Sequence, residues 1–150
     1  MNATTFIIAG GLLATILSAG CQRPSTAEDF NGAWRGTGTA ITSTGSGTSQ
    51  QEWSLDADPT GRLTATNVWR IADGDDREGF THDGRKVRSD TEQLIGMIDF
   101  DDHQFVLVET VENGTIFGEL LPDGRIRLIR SQPAGEDSVV MMTTLTRIAR

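Results

Sequence analysis

Three short stretches, Asp101-Asp102, Asn113-Gly114 and Asp123-Gly124, constrain this chain more than anything else in it, because each separates two runs in which apolar and polar residues alternate. Asn-Gly and Asp-Gly supply the positive φ angles that a two-residue hairpin loop demands. The period of two on either side is that of a strand with one face turned to a core, so three successive tight turns predict a four-stranded antiparallel meander. With two-residue loops, Phe100 faces His103, Glu112 faces Thr115 and Pro122 faces Arg125, and alternation then assigns every other residue to a face. One face carries Leu94, Gly96, Ile98, Phe105, Leu107, Glu109, Val111, Ile116, Gly118, Leu120, Arg127 and Ile129. The other carries Ile95, Met97, Val106, Val108, Thr110, Phe117, Glu119, Leu121, Ile126, Leu128 and Arg130. Both are apolar enough that each is expected to be at least partly covered. Gly96 and Gly118 make the first face the expected interior, since they permit the sharp coiling of a small barrel. Glu109 then points inward in register with Gly118, with Arg127 one strand further along.

The same patterning extends upstream. Strands are expected at 30–42, 50–57, 62–72, 78–88 with a break at Asp83-Gly84, 91–100, 103–112, 115–121, 125–131 and 138–148. Even spacing of short strands with little helical periodicity predicts an all-β chain, an up-and-down meander closed into a small antiparallel barrel of about eight strands. The serine- and glycine-rich stretch 43–49 is the longest expected flexible loop and 132–137 the next, and loops of that kind often rim a binding mouth.

Burying a lone carboxylate costs several kcal/mol, so an inward Glu109 needs Arg127 or a ligand. The functional reading is that Glu109 and Arg127 line a pocket for a small polar or amphipathic molecule; the structural reading is an ion pair at the rim. Trp53 is in phase with Leu55, and Trp69 with Leu63, Ala65 and Ile71, so both are expected to point inward. They are either core packing or the walls of a mouth that suits a flat ligand.

Residues 1–22 carry no charged side chain, and residues 6–17 form a continuous apolar run, shorter than the roughly 20 residues a bilayer-spanning helix needs. Leu17-Ser18-Ala19-Gly20-Cys21 follows. This resembles the lipobox of bacterial lipoproteins, in which small residues precede a cysteine that takes diacylglycerol before cleavage and is then further acylated with a chain such as palmitate. The resemblance implies a signal peptide over residues 1–20, lipidation at Cys21, and a mature protein held to a membrane; two or three acyl chains anchor stably where one is marginal. Gln22, not Asp, follows the cysteine, which resembles lipoproteins sorted to the outer membrane, facing the periplasm. Cys21 is the single cysteine, so no disulfide forms within the chain. Residues 22–29 are polar with Pro24 and read as a tether, leaving residues 30–150 as one barrel domain.

Phe30-Asn31-Gly32-Ala33-Trp34 places a Gly-x-Trp at the head of the first strand. This resembles the calycins, the lipocalin and avidin barrels, in which that Trp plugs one end and is covered by a basic side chain from the last strand. The resemblance implies that Trp34 is the plug and Arg147 its cover, a contact worth about 0.5–2 kcal/mol.

Other chemistries lack their patterns. A net charge of −8 argues against nucleic acid as a partner. The acidic stretch 73–78 fails the EF-hand pattern, and His82 and His103 have neither pair spacing nor a cysteine to complete a metal site. No nucleophile elbow or phosphate loop is present, so neither catalysis nor a cofactor is expected. Three roles remain: a small-ligand-binding barrel, a protein-binding module of the cell envelope such as an inhibitor, and a structural envelope component.

Overall fold

The computed structural model describes residues 23–149 except residue 44 and residues 75–78, 83–84 and 134–137, together with the backbone but not the side chains of residues 80–82 and 85. The expected leader, Cys21, most of the acidic stretch and the tip of the 132–137 loop fall outside the described residues.

A single helical turn, α1 (Ala27–Phe30), precedes ten strands: β1 (Gly32–Thr42), β2 (Gly45–Ala57), β3 (Arg62–Ile71), β4 (Phe80–His82), β5 (Arg85–Val87), β6 (Ser89–Asp99), β7 (Gln104–Glu109), β8 (Thr115–Leu120), β9 (Ile126–Gln132) and β10 (Val139–Arg147). Eight of them close into a barrel in the order β1-β10-β9-β8-β7-β6-β3-β2, every neighbour antiparallel. Closure satisfies the edge that an open meander would leave exposed. The all-β, eight-stranded meander barrel that the spacing predicts is what forms.

Some expected details differ. The 78–88 segment is no wall strand: β4 and β5 pair only with each other, as a separate ribbon between β3 and β6. The serine- and glycine-rich stretch is mostly strand, because Thr42 pairs with Gly45 and the ladder runs on through Thr39–Thr48 and Gly38–Ser49. Small polar residues hide a strand from a reader of hydrophobicity, yet their backbones pair as well as any. Nor is the tether free along its length. From Ser25 onward it is docked: the Ser25 amide donates to the Phe100 carbonyl at 2.9 Å, and α1 is capped by the Asp29 carboxylate, which accepts from the Thr26 amide at 2.8 Å.

The most consequential difference is one residue of register. The β6–β7 turn has the expected alignment, Asp99 opposite Gln104. It is closed by Asp99, which accepts from the amides of Asp101 and Asp102, and by His103 at φ +58°. The β7–β8 connection is longer than expected, with Val108 opposite Thr115, but the slip is by an even number and every side chain keeps its face. Between β8 and β9 the loop is three residues, Pro122-Asp123-Gly124. Leu121 pairs with Arg125 and Gly124 takes the left-handed position at φ +79°, which favours glycine. Gly118 therefore faces Leu128, and every residue of β9 is turned over. Ile126, Leu128 and Arg130 point in, whereas Arg127 and Ile129 point out.

Inside, the strands grade from one end to the other. The closed end is a cluster of Phe30, Trp34, Trp53, Leu55, Leu63, Leu94, Phe105, Leu107, Ile116, Ile126, Leu128 and Leu145. The Phe105 ring lies against Gly118 and meets Phe30 edge-on at 5.8 Å. Further along the same strands the inward residues become Ser49, Gln51, Asn67, Trp69, Glu92, Glu109, Arg130 and Thr143.

The outer wall is not covered among the described residues. Met97, Val106, Phe117, Ile129 and Met142 are exposed cross-strand partners on five consecutive strands, Phe117 at 59%.

Candidate functional site

Trp34 sits on β1 one turn of chain after α1 and is 0% exposed. Its indole N–H donates to the Phe30 carbonyl at 2.9 Å, and the Arg147 guanidinium lies 4.5 Å from the ring centre. Arg147 also donates to the Glu28 carbonyl at 3.2 Å and to the Asp29 carbonyl, so it fastens the helical turn over the ring. These contacts stopper one end of the barrel. Trp53 belongs to the same apolar floor, with its N–H satisfied by Gln51 at 3.0 Å.

The other half of the interior holds a buried charged cluster. Arg130 on β9 reaches Glu92 on β6 through both terminal nitrogens, at 2.7 and 2.8 Å, and lies 2.5 Å from a carboxylate oxygen of Glu109 on β7. Glu92 also accepts from the Trp69 indole at 2.8 Å and from the Asn67 amide at 2.9 Å. Its two oxygens thus accept three hydrogen bonds and hold a further ion-pair contact, which is how a buried carboxylate is tolerated. Glu109 is different. It is 8% exposed, yet its oxygens accept no directed hydrogen bond from a side chain, because the guanidinium aims its N–H groups at Glu92 and Gln132, and the Gly114 backbone amide is the one backbone donor that acts on it. Asn67 Oδ1 and Arg130 Nε are likewise buried without a bond. Burial pushes the Glu109 carboxyl up to about 7; Arg130 opposes that rise, while Glu92 and Glu112 reinforce it. Gly114 makes the arrangement possible, since a Cβ there would collide with the Glu109 carboxylate. On the β1 side, Gln51, Ser49 and Met141 fill the space together.

The structure therefore brings together Glu109 and Trp69 as neighbours of one cluster, and places Trp53 on its floor. It removes Arg127, which lies on the outer wall in an exposed ion pair with Glu119. The inward cation is Arg130. Pro122 is the signal that would have found it: proline suits the first position of a type I turn and not the last strand position before a two-residue loop. Glu92 was also legible, being in phase with Leu94, Gly96 and Ile98. His103 stands at the closed end, far from the cluster along β7, and no group of three or more potential metal ligands occurs among the described residues. Two wide grooves lie on the outer wall instead, about 820 Å³ across Arg35, Glu52 and Arg70 and about 640 Å³ across Met97, Phe100 and Phe117. The first also reaches the buried Gln51 and Trp69, but neither groove is lined by Glu92, Glu109 or Arg130, so the buried charged cluster is the candidate site.

No family model and no curated protein matches the sequence. Among solved structures the chain is similar to EF1p2_mFAP2b, described as bound to DFHBI, with a TM-score of 0.57 and 15% identity over 82% of this chain and 97% of that one. It is also similar to a redesigned β-barrel, b11L5F_LGL, with a TM-score of 0.53 and 17% identity over 85% of this chain and 98% of that one. At such identities the likeness is one of fold.

Proposed function

We propose that this chain is a lipid-anchored protein of the bacterial outer membrane that binds a small ligand in the polar half of its barrel, as a binder and not a catalyst. The observation that carries the reading is the Glu109 carboxylate, buried in the same charged cluster as Glu92 and Arg130 with no side-chain hydrogen bond to either oxygen, at the end of the barrel opposite the Trp34 stopper. A folded protein seldom keeps such a group without a use for it. A barrel of like architecture that holds a small ligand, DFHBI, supports the reading, and the lipobox ending at Cys21 supports the anchor. Native mass spectrometry of the full chain extracted from its membrane tests both parts. A co-purifying small molecule that disappears in Glu109→Leu supports binding, and an apo mass counts against it. An unmodified Cys21 peptide would overturn the anchor.

A second reading, a protein-binding module of the envelope, is favoured by the exposed apolar row from Met97 to Met142, because monomeric proteins seldom display a contiguous patch of that kind. It expects loss of a partner on Phe117→Ser with ligand binding intact.

A further inference from the structure

We propose that the ligand of this site is a small amphipathic cation, its apolar body against Trp69 and its ammonium or amidinium group on the oxygens of Glu109 and Asn67. This rests on the binding reading above and names the chemistry it requires.

The charge inside the barrel does not balance. Two carboxylates, Glu92 and Glu109, share one guanidinium, Arg130, which makes two close contacts with Glu92 and one with Glu109, so one negative charge is left over. Glu92 is complete, with Trp69 and Asn67 as its further donors. Glu109 is the less completely satisfied of the two, holding a single contact with Arg130 and no side-chain hydrogen bond. A third carboxylate, Glu112, stands near it from the β7–β8 connection, bonded to Gln132. An anionic ligand would meet all three.

The hydrogen-bond count points the same way. The cluster's buried atoms without a side-chain hydrogen bond are three acceptors, the two oxygens of Glu109 and Oδ1 of Asn67, against one donor, Nε of Arg130, and the Gly114 amide is the one backbone donor that acts on Glu109. A partner that completes the cluster brings several N–H donors, as ammonium and amidinium groups do. Gly114 holds the carboxylate in place for it, since no side chain there displaces the Glu109 head. Trp69 supplies an aromatic wall, itself oriented by its bond to Glu92.

A titration signature follows. Glu92 from β6, Arg130 from β9 and Glu112 from the β7–β8 connection are the charged groups that act on Glu109, and their sum with burial leaves it half protonated near neutral pH. A cation selects the ionised form and expels the proton, so its affinity rises with pH through about 7.

The test uses three probes of one shape on the full chain in mild detergent: benzamidine (cation), benzamide (neutral) and benzoate (anion), titrated by calorimetry from pH 5.5 to 8. Benzamidine is expected to bind at least about tenfold tighter than the other two, and about thirtyfold tighter at pH 8 than at pH 5.5. Glu109→Gln, which removes a buried charge and keeps the shape, is expected to abolish both differences, while Arg127→Ala on the outer wall leaves them unchanged. Equal or tighter binding of benzamide or benzoate overturns the cation assignment and leaves the binding reading standing. Silence from all three overturns the assignment alone if the native chain still carries a co-purified molecule, and overturns both readings if it does not. Benzamidine binding that survives Glu109→Gln overturns the site.

Discussion

The two ends of the barrel are built from the same strands and differ in nearly every physical respect. On β2 the inward residues run from Leu55 and Trp53 to Gln51 and Ser49, on β3 from Leu63 and Ala65 to Asn67 and Trp69, and on β6 from Ile98 and Leu94 to Glu92. On β7 they run from Phe105 and Leu107 to Glu109, and on β9 from Ile126 and Leu128 to Arg130. One end gathers apolar area, non-directional and additive; the other gathers charge, whose worth depends on every partner being present. Apolar burial is concentrated where Trp34 lies and buried charge where Glu109 lies, and a strand of period two serves both without changing its backbone.

Three variants break or sharpen that contrast. The largest effect belongs to the closed end: Trp34→Ala removes a fully buried ring, its bond to Phe30 and the platform under Arg147, and is expected to cost about 3–5 kcal/mol in urea unfolding. At the other end, charge makes stability depend on pH. The folded chain keeps a proton on Glu109 up to about pH 7, whereas the unfolded chain releases it near the usual 4.5. Between those values the folded state binds more protons, so stability is present in full at low pH and falls as pH rises. We expect a loss of about 3 kcal/mol across that window, absent in Glu109→Gln and retained in Trp34→Ala. A profile that rises with pH over the same window would mean the carboxylate is better paired than its contacts indicate. The smallest effect is outside both ends: Arg127→Ala breaks a solvent-exposed pair with Glu119 and is expected to change stability by no more than about 0.5 kcal/mol by the same measurement.

Much of the architecture was legible because alternation is a local signal. The inward phases of Trp53 and Trp69 and the faces of β6, β7 and β8 follow from the period alone, and parity protected β8 even though its turn was misread. What was not legible depends on a single residue of loop length. Counting Asp123-Gly124 as the whole loop put Arg127 inside; adding Pro122 puts Arg130 there, and a guanidinium moves from the interior to the solvent. The hidden strand at Gly45–Ser49 failed for the opposite reason, since its pairing is carried by backbone and its small side chains announce nothing. The ribbon of β4 and β5 could not be told from a wall strand, because composition reports extended chain and not which partner it finds.

The bond from Ser25 to Phe100 and the grip of Arg147 on the carbonyls of Glu28 and Asp29 stitch the incoming N-terminal chain to the stoppered base. Tension on that chain is thus delivered to the apolar end of the barrel and not to the buried charged cluster.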